Sequence, residues 1–204
     1  MRIDSISQSP DRAGRYLVKF SDGSTMKLYR QTIEDFRMYP GMEIENPDAL
    51  RESAGVYSAK MRAVRIISAS SVSKRDLETR LVRKGEGEEQ AKEAVQWLSD
   101  LNLVDDRTTA KQIVERCIHK GYGIQRAKQA LYEKQIPKSF WEEALEDYPD
   151  QTDAITRFLE QRIKDPDDPK QVKRAIDASL RRGHSYGEVK RALEMIESET
   201  DFDE

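Results

Sequence analysis

Three short stretches, Arg83-Lys84-Gly85, Glu133-Lys134-Gln135 and Arg181-Arg182-Gly183, recur at nearly regular intervals along the chain. Position 135 lies 50 residues after position 85, and position 183 lies 48 residues after position 135. Each stretch ends a basic amphipathic segment and precedes a shorter helical one. A period of this size indicates repeated units that stack to bury a shared core. The sequence therefore predicts three tandem three-helix repeats, an arrangement that usually provides binding surfaces rather than catalytic pockets.

The last residue of each stretch, which we call the landmark residue, is Gly85, Gln135 or Gly183. The sixth, ninth, tenth and thirteenth residues after each landmark are apolar or aromatic in all three copies: Ala91, Ala94, Val95 and Leu98; Trp141, Ala144, Leu145 and Tyr148; Val189, Ala192, Leu193 and Ile196. This spacing is that of one apolar helix face in a shared register. Capping boxes are predicted to begin this helix at Ser139–Glu142 and at Ser185–Glu188.

The first two helices of each repeat are also expected to bury an apolar face. The residues predicted to point inward are Ala59, Ala63, Val64, Ile67, Leu77 and Leu81 in the first repeat; Ala110, Ile113, Val114, Cys117 and Ile118 in the second; and Ile155, Phe158, Leu159 and Ile163 in the third. Helix starts are predicted at Ser73, at Asp105-Asp106 and at Asp168-Pro169, because these residues cap or begin helices well.

Residues 1–56 differ in kind from the repeats. Two alternating runs, Arg15–Phe20 and Thr25–Tyr29, flank Asp22-Gly23, which is a strong hairpin signal. Met1–Ser7 can supply a third strand. Three strands with so few large apolar residues are marginal alone, so we expect this module to dock on the first repeat.

The helical part is expected to open with a short helix, Asp48–Ser53, after Asn46-Pro47, and the first repeat to begin near Val56. The predicted fold class is mostly α: three tandem three-helix repeats forming an elongated curved array, with a small β-rich N-terminal module. The predicted divisions are 1–56 for that module, 57–104, 105–150 and 151–198 for the repeats, and 199–204 for an acidic tail.

Composition excludes several classes of protein. The chain is 36 % charged and 37 % hydrophobic, which suits a thin helical array better than a compact globule. No apolar run approaches the ~20 residues that span a bilayer, and the N-terminus lacks the apolar core of a signal peptide. The single cysteine, Cys117, cannot form an internal disulfide, which fits a reducing cytoplasm, and we expect it to be a buried hydrophobe.

Little in the chain supports catalysis or metal binding. His119 stands two residues from Cys117, so on a helix the two side chains point apart and cannot form a nucleophile–base pair. His184 is expected to be exposed after the landmark glycine. Two histidines and one cysteine make no zinc-ligand set, and the acidic residues of Asp165–Asp168 alternate with proline as in a linker. We therefore expect no enzymatic activity, no metal and no cofactor.

The net charge of −3 hides a pattern. Residues 57–134 contain 16 Lys and Arg against 11 Asp and Glu, and residues 170–191 contain 7 against 2. The acid is concentrated in the linker Asp165–Asp168 and in Glu194–Glu204. Basic helical faces with acid displaced elsewhere favour a polyanion or an acidic protein groove, although a solvated surface remains the simpler interpretation of any single cation.

The second helix of each repeat and its flanks carry most of these cations. We predict a basic face formed by Lys74, Arg75, Arg80, Arg83 and Lys84 in the first repeat; Lys120, Arg126, Lys128 and Lys134 in the second; and Lys173, Arg174, Arg181, Arg182, Lys190 and Arg191 in the third. No aromatic platform is expected beside these residues, because Trp97 and Trp141 fall on apolar faces. A face of this kind suits a phosphate backbone or an acidic filament groove and gives no basis for reading base sequence.

The chain also resembles the RecX family of bacterial recombination regulators. The resemblance rests on Val72-Ser73, Leu77 and Leu81–Gly85 followed by Leu101–Asp106; on Lys120–Arg126, Leu131 and Lys134–Ile136; and on Leu180–Tyr186 and Val189. It covers about residues 57–196. The order and spacing of these motifs are more specific than any one of them.

The resemblance implies three tandem three-helix repeats and no enzymatic activity. Members of the family bind the RecA recombinase in the helical groove of the RecA–DNA filament. There they suppress its ATPase, co-protease and strand-exchange activities by blocking extension or promoting disassembly. Some members also bind single- or double-stranded DNA directly, and a subset has a β-rich N-terminal extension. The implied protein is a cytoplasmic monomer that acts in homologous recombination, DNA repair and the SOS response.

Several residues depart from the family pattern. An aromatic or apolar residue usually follows the Lys-Gly or Arg-Gly pair, whereas Glu86 and His184 stand there in this chain. Thr108-Thr109 replace an Arg-Phe pair, and Gln135 replaces the glycine expected at the end of the second basic helix. These changes affect the expected contacts with the partner more than the fold.

Two other classes of protein remain as alternatives. A stand-alone DNA-binding protein of helix-turn-helix type would need base-reading residues at a helix N-terminus and a dimerisation helix, and the chain offers neither. A tetratricopeptide scaffold would have a period of about 34 residues, which does not match. The sequence leaves open whether the protein inhibits or assists its recombinase, what the N-terminal module contributes, and whether the acidic tail masks the basic face.

Overall fold

The computed structural model describes residues 1–11 and 14–196 with their side chains, and the backbone of the last helix as far as Thr200. The side chains of the predicted acidic tail, 199–204, lie outside these residues. The chain divides into two compact units between Val104 and Asp105. The second repeat was predicted to start at residue 105. No helix in the described part of the chain is long and apolar enough to cross a membrane.

The first unit contains a sheet and four helices. Its elements are β1 (Ile3–Gln8), β2 (Arg15–Phe20), β3 (Thr25–Tyr29), α1 (Arg30–Asp35), α2 (Pro47–Ala69), α3 (Lys74–Arg83) and α4 (Glu88–Asp100). The three strands form an antiparallel sheet in the order β1-β2-β3, as the sequence predicted. Each strand contributes a buried apolar residue, with Ile3, Val18 and Leu28 at 0–1 % exposure, so one face of the sheet packs on a core.

Helix α2 overturns the predicted short helix Asp48–Ser53. It begins at Pro47, where the side chain of Asn46 accepts a hydrogen bond from the backbone of Ala49 (3.0 Å), and continues unbroken through Gly55 to Ala69. A glycine in a helix interior costs only about 1 kcal/mol, and packing on both sides of it offsets that cost. Leu50 belongs to the core under the sheet, while Ala59 and Ala63 belong to the core of the first repeat. The predicted docking of the N-terminal module is thus achieved by a shared helix.

The second unit contains the other two repeats. Its elements are α5 (Asp106–His119), α6 (Ile124–Glu133), a 3₁₀ turn (Lys138–Phe140), α7 (Trp141–Leu145), α8 (Thr152–Glu160), α9 (Pro169–Arg181) and α10 (Tyr186–Thr200). Each repeat has its own apolar core, formed by α2, α3 and α4, by α5, α6 and α7, or by α8, α9 and α10. The apolar columns aligned from the landmarks lie in these cores, and so do Trp97 and Trp141. This confirms the shared register of the repeats.

The predicted helix starts are confirmed in all but one case. Ser73, Asp105 and Asp168 each accept a hydrogen bond from the first turn of the helix that they precede. In the capping box of α10, the backbone of Ser185 donates to the Glu188 carboxylate (2.6 Å), and the backbone of Glu188 donates to the Ser185 hydroxyl (3.2 Å). The box predicted at Ser139–Glu142 is wrong. There Pro137 begins a 3₁₀ turn that contains Ser139, and the helix starts only at Trp141.

The landmark residues have one structural role. Gly85, Gln135 and Gly183 all adopt left-handed backbone, with φ of +91°, +53° and +88°. The N–H of each landmark donates to the carbonyl three residues earlier, and the next N–H donates to the carbonyl five residues earlier, as in a Schellman motif. The repeated stretch is therefore a helix C-cap, which explains why the period is so clear in the sequence.

Candidate partner-binding surface

The cations predicted for the first repeat are divided between the surface and internal pairs. The side chains of Arg75, Arg83 and Lys84 are exposed and form no ion pair with the described residues. Arg80 is half-buried, and its Nε donates to the carboxylate of Asp76, one turn earlier, at 2.9 Å. Lys74 is also half-buried. Helix α3 and its C-cap therefore present three cations to solvent, Arg75 in the first turn and Arg83 and Lys84 at the end, while Arg80 pairs within the helix.

In the second repeat the exposed positive charge is smaller. Lys120 is exposed just after α5, whereas Lys128 and Lys134 are half-buried. Arg126 pairs with Glu133 on the same helix, with 3.1 Å between guanidinium and carboxylate. The charge of Arg126 is thus compensated within α6 itself.

The third repeat exposes the most cations. Lys173, Arg174 and Arg181 on α9 lie in solvent, as do Lys190 and Arg191 on α10. Of these, Lys190 lies 3.4 Å from the Glu194 carboxylate one turn later, a surface pair that leaves its ammonium largely exposed.

Arg182 is placed differently from its neighbour Arg181. Its guanidinium lies between the rings of Tyr122 and Phe158, 4.7 Å from the centroid of each. The same group donates to the backbone carbonyls of Lys120 and Gly121, which directly follow α5. The expectation that no aromatic ring lies beside the basic residues is therefore wrong at this position. Arg182 joins the third repeat to the second.

His184 is buried, which corrects the prediction that it is exposed. Only 5 % of the residue is accessible, and its Nε2 lies 3.1 Å from the carbonyl oxygen of Gly121. Burial lowers the pKa of His184, and the nearby charge of Arg182 acts in the same direction. The neutral imidazole is therefore the form that suits this position.

Glu86 occupies the position in the first repeat that His184 occupies in the third. Its residue exposure is 9 %, and its carboxylate accepts hydrogen bonds from Nε of Arg62 (2.5 Å) and from the hydroxyl of Ser58 (3.0 Å). The equivalent residue of the second repeat, Ile136, is buried at 4 % and packs in an apolar core. Glu86 and His184, which depart from the family pattern at the position after the landmark, are therefore buried polar side chains, each with a partner inside the fold.

A groove of about 740 Å³ in the second unit was not anticipated from the sequence. Its wall combines cationic, acidic and aromatic side chains, among them Lys120, Asp153, Arg157, Phe158, Arg162 and Arg182. Phe158 was expected to point into the core of the third repeat, but it is half-buried in this groove. The Arg162 guanidinium covers its ring at 4.1 Å. The excess of cations suits an anionic group, and only the folding of α8 against the end of α5 brings them together.

The described residues contain no group of three or more His, Cys, Asp or Glu side chains placed to hold a metal ion. Cys117 is buried, as expected, and burial raises the pKa of its thiol. A thiol in that state is a poor nucleophile.

Comparison with known proteins gives one consistent result. The family model described as RecX, second three-helix domain, matches residues 105–145, which are α5 to α7. The chain is 25 % identical over 146 residues to regulatory protein RecX of Vibrio parahaemolyticus serotype O3:K6, an alignment that covers 70 % of this chain and 94 % of the relative. It is 27 % identical over 142 residues to regulatory protein RecX of Chlorobaculum tepidum, with 68 % and 88 % covered.

Solved structures share the fold. A crystal structure of regulatory protein RecX superposes with a TM-score of 0.65 at 18 % identity, and the match covers 95 % of this chain and 98 % of that one. RecX from Lactobacillus salivarius superposes with a TM-score of 0.61 at 20 % identity, with 71 % and 98 % covered.

Proposed function

The chain belongs to the RecX family of regulatory proteins, and on this basis we propose that it binds RecA–single-stranded-DNA filaments and lowers the activity of RecA. The activities concerned are the ATPase, co-protease and strand-exchange activities that the filament supports. The protein is proposed to act through the exposed cations of its repeats rather than through chemistry of its own.

One observation carries this proposal. Arg75, Arg83, Lys84 and Arg181 are exposed at the second helices of the first and third repeats, and none forms an ion pair with the described residues. Uncompensated charges of one sign raise the rate of encounter with an oppositely charged surface and fix its orientation. A RecA–DNA filament offers such a surface, because it contains both phosphates and protein carboxylates.

The test measures the single-stranded-DNA-dependent ATPase of the cognate RecA while the protein is titrated in. Inhibition at sub-stoichiometric ratios is expected if the protein caps or disassembles filaments, and inhibition only near saturation if it coats the groove. A variant with Arg75, Arg83, Lys84 and Arg181 all changed to Glu is expected to lose inhibition while keeping its fold.

A matched control separates the basic face from net charge. Changing four other exposed cations, Lys19, Arg116, Lys138 and Lys164, to Glu alters the net charge by the same amount. This control is expected to inhibit nearly as well as the wild-type protein. Equal loss in both variants would show that only overall charge matters. Tight binding of duplex DNA without any effect on RecA would instead favour the stand-alone DNA-binding alternative.

A further inference from the structure

An exposed apolar side chain stands three residues before each landmark. The residues are Val82, Tyr132 and Leu180, and 37 %, 72 % and 38 % of their surfaces are accessible. The residues directly before them, Leu81, Leu131 and Ser179, are completely buried. Single exposed apolar residues are common on protein surfaces, but here one recurs at the same position in all three repeats.

The local backbone does not explain this recurrence. Each of the three residues accepts, through its carbonyl, the hydrogen bond from the landmark N–H, at 2.9 Å in every repeat. That bond places no demand on the side chain. The residue that can pack against the one following the landmark in a Schellman motif is the buried Leu81, Leu131 or Ser179, and not its exposed neighbour.

Positive charge lies next to this position. Val82 is followed by the exposed Arg83 and Lys84, and Leu180 by the exposed Arg181; none of these three forms an ion pair within the part of the chain that the structure describes. In the second repeat Glu133 occupies the corresponding place and pairs with Arg126, and there the apolar residue is the largest and most exposed of the three. The repeats thus present an apolar contact at the end of the second helix, with cations beside it in two of the three.

We propose that Val82, Tyr132 and Leu180 are the apolar contact points for an acidic protein surface, with Arg83, Lys84 and Arg181 pairing with carboxylates around them. Aliphatic side chains such as those of Val82 and Leu180 have no π face on which a base can stack and gain nothing from a phosphate. They do gain from burial against another protein. Repetition of the same contact along the chain fits a partner that presents one surface many times, as the subunits of a polymer do.

This inference rests on the proposed function, since the polymer concerned is the RecA filament. Its test changes the three residues to Gln, which keeps helix propensity and leaves the net charge unaltered. Binding to preassembled RecA–single-stranded-DNA filaments is measured by co-sedimentation, and binding to single-stranded DNA alone by fluorescence anisotropy. The control variant changes three exposed apolar residues elsewhere, Tyr39, Leu101 and Leu103, to Gln.

The triple variant is expected to bind filaments about tenfold more weakly or worse, because apolar anchors carry a large share of binding energy at protein interfaces. The control is expected to remain close to wild type, and affinity for DNA alone is expected to be the same for all three proteins. If the wild-type protein binds filaments and the triple variant binds them equally well, the inference is wrong while the proposed function stands. If the wild-type protein does not bind filaments, the proposed function itself fails. If the triple variant binds DNA alone more weakly than the wild type does, the inference of an acidic protein partner is wrong, and stacking of bases on Tyr132 explains the result.

Discussion

Gly123 and Gly183 pack backbone against backbone. A Cβ atom on Gly123 would lie 2.0 Å from the carbonyl oxygen of Gly183, and a Cβ on Gly183 would lie 2.3 Å from the backbone nitrogen of Arg126. The N–H of Gly123 donates to the carbonyl of Arg182 at 3.0 Å. The start of α6 and the end of α9 can approach this closely only because neither glycine has a side chain. The second and third repeats are therefore joined through their backbones at this point.

Replacing Gly123 by Ala is expected to destabilise the protein by about 2 kcal/mol or more, because the new methyl group must displace backbone rather than a flexible side chain. The matched control is Gly187→Ala in α10, where a Cβ meets nothing within 4 Å. Alanine favours a helix more than glycine does, so this control is expected to be neutral or stabilising by up to about 1 kcal/mol. Urea unfolding followed by circular dichroism measures both, and an equal cost in the two variants would exclude close backbone packing as the cause.

The left-handed conformation of Gln135 is expected to cost stability. Changing Gln135 to Gly should raise the free energy of unfolding by about 1 kcal/mol, since glycine adopts a positive φ without the clash that a Cβ causes. The reverse change at an equivalent position, Gly85→Ala, isolates the same effect because a Cβ there meets nothing within 4 Å, and it should lower stability by about 1 kcal/mol. A gain at 135 without a loss at 85 would mean that the side chain of Gln135, rather than its φ, is responsible.

Two adjacent arginines are expected to respond differently to the same substitution. Arg182→Lys should lower stability by about 1–2 kcal/mol, because an ammonium cannot stack flat between Tyr122 and Phe158 while it bonds two carbonyls. Arg181→Lys, on an exposed side chain, should leave stability within about 0.5 kcal/mol of wild type. The midpoint of thermal unfolding distinguishes them. Similar effects at both positions would contradict the role assigned to Arg182.

The protein should lose stability in mild acid through His184. Burial lowers the pKa of this histidine in the folded state, whereas in the unfolded chain its pKa is about 6.5. Above that value both states hold a neutral imidazole and stability is complete. Below it the unfolded state binds more protons, so stability falls as the pH drops from about 6.5 toward the lower, folded pKa.

The measurement compares urea unfolding at about pH 7.5 and about pH 5 in the wild type, in His184→Phe and in His119→Gln. The first variant replaces the imidazole with an aromatic ring that binds no proton, and it should lose less stability on acidification than the wild type. The second changes an exposed histidine and serves as the control for the loss of one histidine. An unchanged pH dependence in His184→Phe would show that other groups are responsible.

The buried carboxylate of Glu86 is expected to depend on Arg62. Changing Arg62 to Met removes the guanidinium partner of Glu86, whose side chain is only 7 % exposed. The substitution should lower the free energy of unfolding by about 2 kcal/mol. The cost is below that of a fully buried pair because Arg62 itself is 39 % exposed. The double variant Arg62→Met with Glu86→Leu should recover most of the loss, since it removes both charges.

The exposed pair Arg51–Asp48 provides the comparison, with side chains 60 % and 91 % accessible. Arg51→Met should change stability by less than about 0.5 kcal/mol. Urea unfolding of the wild type, of Arg62→Met, of Glu86→Leu and of the double variant gives the coupling energy between Arg62 and Glu86. A double variant no more stable than Arg62→Met alone would mean that shape, and not charge, accounts for the loss.

The repeat, its register and most helix ends could be predicted because they depend on local interactions. Ser73, Asp105 and Ser185 cap helices within one turn of themselves, and Gly85 and Gly183 end helices through bonds that span five residues. Apolar residues at helical spacing identify the buried faces in the same way. Each of these signals lies within a short window of sequence, so helix ends and buried faces can be predicted without knowing how the rest of the chain folds.

The remaining features depend on contacts between residues that are distant in the chain. Gly123 and Gly183 are 60 positions apart, and the burial of His184 and the stacking of Arg182 both depend on α5 and α6 meeting the end of α9. Helix α2 likewise continues through Gly55 because residues on both sides of it are buried in two cores. Local propensity differs between these outcomes by about 1 kcal/mol or less, whereas burial of a large side chain is worth about 2 kcal/mol. Packing therefore determined which cations are free to meet a partner and which hold the repeats together.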